Sequence, residues 1–143
     1  MKTTLLLAGL ALLVGVSPAA AQASAEDEAG VRGAVEAYLR AHATGSGEPI
    51  VDVFHPVSNL YWVRGDTLNQ RAGSAYIAGF RGTPAPDEAQ RRRWISMVDV
   101  TGDAAIARVV LDYPTAVITD YFALLRIDGE WRIVNKIFTS QPK

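Results

Sequence analysis

The chain has 143 residues, 49% hydrophobic and 20% charged, the make-up of one globular domain with enough apolar surface to build a core. A formal net charge of -1 leaves no basic field to gather nucleic acid or anionic lipid, and Arg91-Arg92-Arg93 is a short solvated run. The absence of cysteine excludes disulfides, thiolate metal sites, a cysteine nucleophile and a lipid-modified cysteine.

The first elements in chain order are a leader and a tether. Met1-Lys2, the apolar run Leu5 to Val16 and Pro18-Ala19-Ala20-Ala21 have the pattern of a secretory signal peptide over residues 1–21. The apolar run is shorter than the roughly 20 residues of an ordinary bilayer span, so a soluble mature form, secreted or periplasmic, is expected. A flexible tether over 22–27 precedes a domain over 28–140. Glu26-Asp27-Glu28 suits a helix N-terminus, and Val31, Val35, Tyr38, Leu39 and His42 recur at helical spacing to about Ala43. Pro49 opens a second, short helix with Ile50, Val53 and Phe54 on its buried side, closed by His55-Pro56. Asn59 to Arg64 reads as a strand, Gly65-Asp66 as its turn and Leu68 to Gln70 as a short return; Arg64-Gly65-Asp66 is turn chemistry rather than an adhesion motif. Ala75, Tyr76, Ile77 and Phe80 suggest a third helix, before a surface loop from Thr83 to Glu88.

From Arg92 the chain is all strand: Trp94 to Val100, Ala104 to Tyr113, Val117 to Ile127 and Trp131 to Phe138. The last two form the densest strand signal, folded about Asp128-Gly129. With a three-residue loop, Arg126 would face Glu130 and Asp120 would face Lys136, two charge pairs on one face. A two-residue loop would place Tyr121 opposite Lys136 instead. The first register is preferred for its charge pairing. It assigns Tyr121, Trp131, Ile133 and Asn135 to a cavity face, and Phe122, Leu124, Val134 and Phe138, around Asp120 and Lys136, to a face that meets a second subunit. The segregated elements make the fold class α+β.

The run Val98-Asp99-Val100-Thr101-Gly102-Asp103-Ala104-Ala105-Ile106-Ala107, with Thr119-Asp120-Tyr121 and Asp128-Gly129-Glu130-Trp131-Arg132-Ile133-Val134-Asn135-Lys136, resembles the nuclear transport factor 2-like superfamily. Its putative lumazine-binding branch, close to the SnoaL-like polyketide cyclases, is the nearest fit, and Phe54-His55-Pro56 matches too. The resemblance covers about Glu28 to Phe138. It implies a cone-shaped, strongly curved antiparallel sheet closed by about three N-terminal helices around a pocket, and it supports a homodimer. The superfamily spans isomerases, cyclases, dehydratases, carriers and inactive members, so chemistry has to come from the residues.

His55, at a helix-to-strand junction, is the first acid-base candidate, with capping of the second helix as the alternative. Asp120 would be a general base if buried alone and a register-fixing ion pair if bonded to Lys136. Tyr38, Tyr61, Tyr121 and Asn135 could bind a ligand carbonyl, and only one of the adjacent Tyr61 and Trp62 can line a cavity. His42 is expected to have no role. No histidine pair at ligand spacing, Gly-rich phosphate loop or serine elbow is present, so neither metal nor cofactor is expected. The leading expectation is a module that binds a small apolar or aromatic molecule, with Tyr121, Asn135 and His55 as polar contacts. The alternatives are a cofactor-independent isomerase, cyclase or dehydratase working by acid-base catalysis, and a structural or partner-binding domain with a filled core.

Overall fold

The computed structural model describes residues 24–143; the expected leader over 1–21 and the first residues of the tether lie outside the described residues. Helix α1 (Ala25–Thr44) begins inside the stretch expected as tether, because the Ser24 side chain accepts the Asp27 N–H and caps it. Its buried residues Val31, Ala34, Val35, Ala37, Tyr38 and Ala41 fall on one stripe, which lies on the sheet.

Six strands follow: β1 (Phe54–Arg64), β2 (Thr67–Ala72), β3 (Arg92–Thr101), β4 (Ala104–Tyr113), β5 (Ala116–Ile127) and β6 (Glu130–Pro142). They form one open sheet in the order β2-β1-β6-β5-β4-β3. The sheet is mixed rather than wholly antiparallel, since β1 and β6 run parallel. Sequence signals for hairpins cannot reveal that pairing, which joins strands from opposite ends of the domain.

Of three expected N-terminal helices only α1 is long. The second is a single 3-10 turn, Glu48–Ile50, too short to nucleate an α-helix between Gly47 and the turn at Val51. The third is α2 (Gly73–Ile77), only five residues long. His55-Pro56 lies within β1 instead of closing a helix. Pro56 is tolerated there because the β1–β6 register breaks between Phe54 and Asn59, where no ladder hydrogen bond is required of it.

The hairpin β5–β6 turns on two residues, with Ile127 opposite Glu130 and both Asp128 (φ 53) and Gly129 (φ 84) left-handed. Arg126 therefore faces Trp131, and its guanidinium reaches Asp27 on α1 at 2.7 Å instead of Glu130. Farther along, the register slips by one residue: Leu124 pairs with Ile133, but Ala123 pairs with Asn135. This bulge reverses which residues of β6 face inward. Trp131 and Ile133 are buried before it, and Lys136 after it. Phe122, not Asp120 or Tyr121, lies directly opposite Lys136.

Trp131 packs so closely on α1 that a Cβ at Gly30 would stand 2.6 Å from its ring, whereas a Cβ at Gly33 would meet nothing within 4 Å. Gly33→Ala is expected to stabilise the domain by about 1 kcal/mol through helix propensity. Gly30→Ala, on the same helix, should destabilise it by roughly 1–3 kcal/mol through overpacking. Urea denaturation of both variants checks the opposite signs.

Candidate functional site

Leu60, Lys136 and Phe122 form one row across β1, β6 and β5 on the buried face, and the next row, Tyr61, Ile137 and Tyr121, lies on the other face. Above the buried row, between the sheet and both helices, is a cavity of about 510 Å³. Tyr38 and His42 line it from α1, Tyr76 from α2, Leu60 and Trp62 from β1, and Lys136 and Phe138 from β6. Trp62 stacks on Phe138 with ring centroids 5.3 Å apart.

The floor of this cavity carries a closed ring of three hydrogen bonds. Lys136 Nζ donates to Asp120 Oδ1 at 2.9 Å and to Tyr38 Oη at 2.8 Å, and Tyr38 Oη donates to Asp120 Oδ2 at 2.7 Å. Asp120 is 0% and Lys136 4% exposed. Desolvation lowers the pKa of Lys136, with Asp120 opposing the shift, and burial raises that of the Tyr38 phenol. The ring uses both carboxylate oxygens and the Tyr38 proton, but only two of the three ammonium protons. The ammonium is also surrounded by aromatic faces, with the ring centroids of Phe138, Tyr38 and Tyr76 at 4.8, 5.0 and 5.1 Å.

A second network enters from the side. Glu88 holds Arg93 by two bonds of 2.5 and 2.7 Å, and Arg93 Nε donates to Tyr113 Oη at 3.0 Å. Tyr113 Oη lies 3.2 Å from His42 Nδ1, and His42 Nε2 lies 2.7 Å from Tyr76 Oη. Tyr113 is buried and already accepts from Arg93, so its own proton is satisfied by His42 Nδ1. That assignment leaves His42 protonated at Nε2, donating to Tyr76. The Tyr76 hydroxyl in turn hydrogen-bonds the Tyr38 phenol, which joins the side network to the ring at the floor.

Burial, and after it the cationic groups of Lys136, Arg93 and Arg91, push His42 from its ordinary 6.5 down to about 3. The imidazole is therefore neutral across the physiological range.

The residues singled out from sequence separate into three places. Tyr38, Trp62 and Asp120 belong to the cavity or its floor. Tyr61 and Tyr121 share a shallow groove on the opposite face with Leu68 and Ile137, and Tyr121 is 41% exposed. Asn135 sits at the bulge beside that face, its Oδ1 buried with no partner among the described residues. His55 accepts the Val57 N–H at 3.3 Å through Nδ1, a local turn contact, and is not among the residues lining the cavity. The expected faces are exchanged for Tyr121 and Asn135 against Asp120, Phe122, Leu124 and Lys136, whereas Trp131 and Ile133 lie on the inner face as expected. Asp120 and Lys136 do form the anticipated ion pair, but at the cavity floor and across a diagonal.

Reasoning from sequence missed His42, Tyr76, Arg93 and Tyr113, which meet only in three dimensions. Lys136 had a signal: only Lys2, Lys136 and Lys143 are lysines, against eleven arginines.

An α-helix over a six-stranded mixed sheet, with a pocket between them, defines the nuclear transport factor 2-like class. Two nuclear transport factor 2-like proteins of unknown function have this fold. The one from Shewanella baltica superposes with a TM-score of 0.75 at 21% identity, covering 85% of this chain and 99% of that one. The one from Methylobacillus flagellatus gives 0.70 at 30% identity, covering 83% and 95%. Within the class, the chain belongs to the family described as "Putative lumazine-binding", whose pattern it matches over residues 26–139. Among characterised relatives, aldolase FrzH from Cladobotryum sp. is 28% identical over 109 residues, 74% of this chain and 85% of that protein.

The depressed pKa of His42 makes the domain acid-sensitive. Between about 6.5 and about 3 the unfolded chain takes up a proton that the folded state refuses, so stability declines as pH falls through that window. His42→Gln should flatten this part of the profile, as read by urea midpoints at about pH 7 and about pH 4.5.

Proposed function

We propose that the chain is an exported small-molecule-binding domain, and that its cavity takes a planar, largely apolar or aromatic molecule carrying a carbonyl oxygen. The observation behind this reading is one aromatic-walled cavity with donors on its lining: the third N–H of Lys136 and the guanidiniums of Arg64 and Arg71. A cavity of about 510 Å³ is within the range of ordinary ligand pockets. The name of the family supports a heterocycle with ring carbonyls as the first ligand to try. The leader pattern at residues 1–21 supports export.

A second reading is proton transfer on the bound molecule. Its support is Asp120, a carboxylate one hydrogen bond from each of two groups at the floor, together with the likeness to an aldolase. In this reading Asp120 accepts protons while Lys136 and Tyr76 stabilise an enolate oxygen.

Lumazine and a panel of aromatic aldehydes and ketones should raise the melting temperature; a ligand at 100 times its Kd adds about 2.7 kcal/mol. Tyr76→Phe, which removes one hydroxyl and leaves the ring intact, should weaken binding about ten-fold. A panel that leaves the melting temperature unmoved would sink the binding reading.

The opposite face supports a homodimer as part of the same proposal. Val63, Leu68, Tyr121 and Ile137 are 64%, 67%, 41% and 51% exposed there, an apolar patch on an open sheet. Light scattering is expected to give twice the protomer mass at micromolar concentration, and a monomer would remove the dimer.

A further inference from the structure

We propose that Lys136 is a nucleophilic amine, condensing with the carbonyl carbon of an aldehyde or ketone in the cavity to form a protonated imine. This rests on the reading that the cavity takes a carbonyl compound, and gives that site a covalent chemistry.

The choice of residue is the first argument. Eleven of the fourteen basic residues are arginine, and arginine serves the ion pairs with Glu28, Asp87, Glu88 and Asp27. Arginine is also the better partner for a buried carboxylate, because its planar fork can bind both oxygens and is more weakly hydrated. Yet the cation placed against Asp120, the most deeply buried carboxylate, is a lysine. A guanidinium stays protonated, whereas a primary amine can lose a proton and attack carbon.

Placement is the second argument. Nζ sits at the cavity floor, held by two acceptors and facing aromatic walls. The bulge in β6 exists in the stretch that turns this side chain inward. Proton handling is the third. Asp120 Oδ1, 2.9 Å from Nζ, can take the ammonium proton, and desolvation favours the neutral amine. Tyr76, on the cavity wall and hydrogen-bonded to both His42 and Tyr38, is the hydroxyl within the site that can turn to the carbonyl oxygen.

In the step itself, Asp120 accepts a proton from the ammonium, and the freed electron pair forms an N–C bond. The carbonyl π pair moves to oxygen, which is protonated in turn, and the nitrogen, now carrying two protons and a positive charge, gives up the second of them to Asp120 to leave a neutral carbinolamine with its lone pair restored. A further proton converts the hydroxyl to leaving water, the C–O bond breaks and the nitrogen pair forms C=N. The net change is ammonium plus carbonyl compound to protonated imine plus water, with no oxidant or reductant.

Formaldehyde with sodium cyanoborohydride tests this, because formaldehyde is small enough to reach Nζ whatever the natural ligand is. The full-length mature protein would be treated at about pH 7, where an ordinary lysine with pKa near 10.4 is almost wholly protonated. Peptide mass mapping then compares Lys136 with Lys143, whose side chain is 44% exposed and paired with Asp112. The expected result is methylation of Lys136 at least as fast as Lys143, with a shallower rise in rate as pH increases. Lys136 remaining unmodified while Lys143 reacts to completion would overturn the proposal, since a purely structural ion pair is protected. If Lys136 resists while carbonyl compounds still raise the melting temperature, the imine falls and the binding site stands. If Lys136 reacts rapidly but no compound shifts the melting temperature, the amine chemistry is supported and the binding reading fails instead.

Discussion

Placing a charged pair under an aromatic roof is the constraint to which the rest of this molecule answers. Removing an ammonium and a carboxylate from water costs several kcal/mol per ion, and their attraction offsets this only when the remaining hydrogen-bonding capacity is also used. Tyr38 meets most of that requirement by giving its proton to Asp120 and its lone pair to Lys136, which leaves one ammonium proton facing the aromatic walls. The stripe of α1 that carries Tyr38 must therefore sit at one height and one rotation on the sheet. The close contact of Gly30 with Trp131 fixes that same helix near its N-terminus, and the ion pair of Asp27 with Arg126 secures its first turn.

Two networks meet at the cavity, joined where Tyr76 hydrogen-bonds Tyr38, and they differ in electrical character. The floor ring is formally charged and closed on itself. The side network begins at an ion pair, Glu88 with Arg93, and ends in a neutral imidazole and a phenol. The first sets where positive charge is available; the second sets which way a hydroxyl points. A ligand oxygen bonded to both would meet fixed dipoles rather than mobile water, the condition under which hydrogen bonds most affect reactivity.

Strand identity was legible in the sequence because β-branched and aromatic runs from Trp94 to Phe138 are punctuated by Gly102-Asp103, Pro114-Thr115 and Asp128-Gly129. Helix α1 was legible from its apolar spacing. The short helices were not, because a proline or a few apolar residues indicate where a helix could start but not whether it has room to propagate. Sheet faces were misassigned for a definite reason. Charge complementarity between Asp120 and Lys136 is a real signal, but it operates across a diagonal as well as directly across strands, so it could not identify the loop length. Nor does a one-residue bulge at Val134-Asn135 have a composition of its own. His55 drew attention through residue type, whereas His42 acquires its role from Tyr113 and Tyr76, contributed by β4 and α2.

The parallel pairing of β1 with β6 has a consequence for how the domain forms. Tyr38 lies 82 residues from Asp120 and 98 from Lys136, and the strand that carries Lys136 bridges the two halves of the sheet. Contacts so distant along the chain are assembled late, because loop closure has to precede any gain from them. A meander of β3 to β6 can collect locally, and so can the β1–β2 hairpin, but neither alone contains the site. The complete cavity and the ring at its floor therefore need α1, the β1–β2 hairpin and the β3–β6 meander together, although the Asp120–Lys136 pair itself lies within the last hairpin, 16 residues apart.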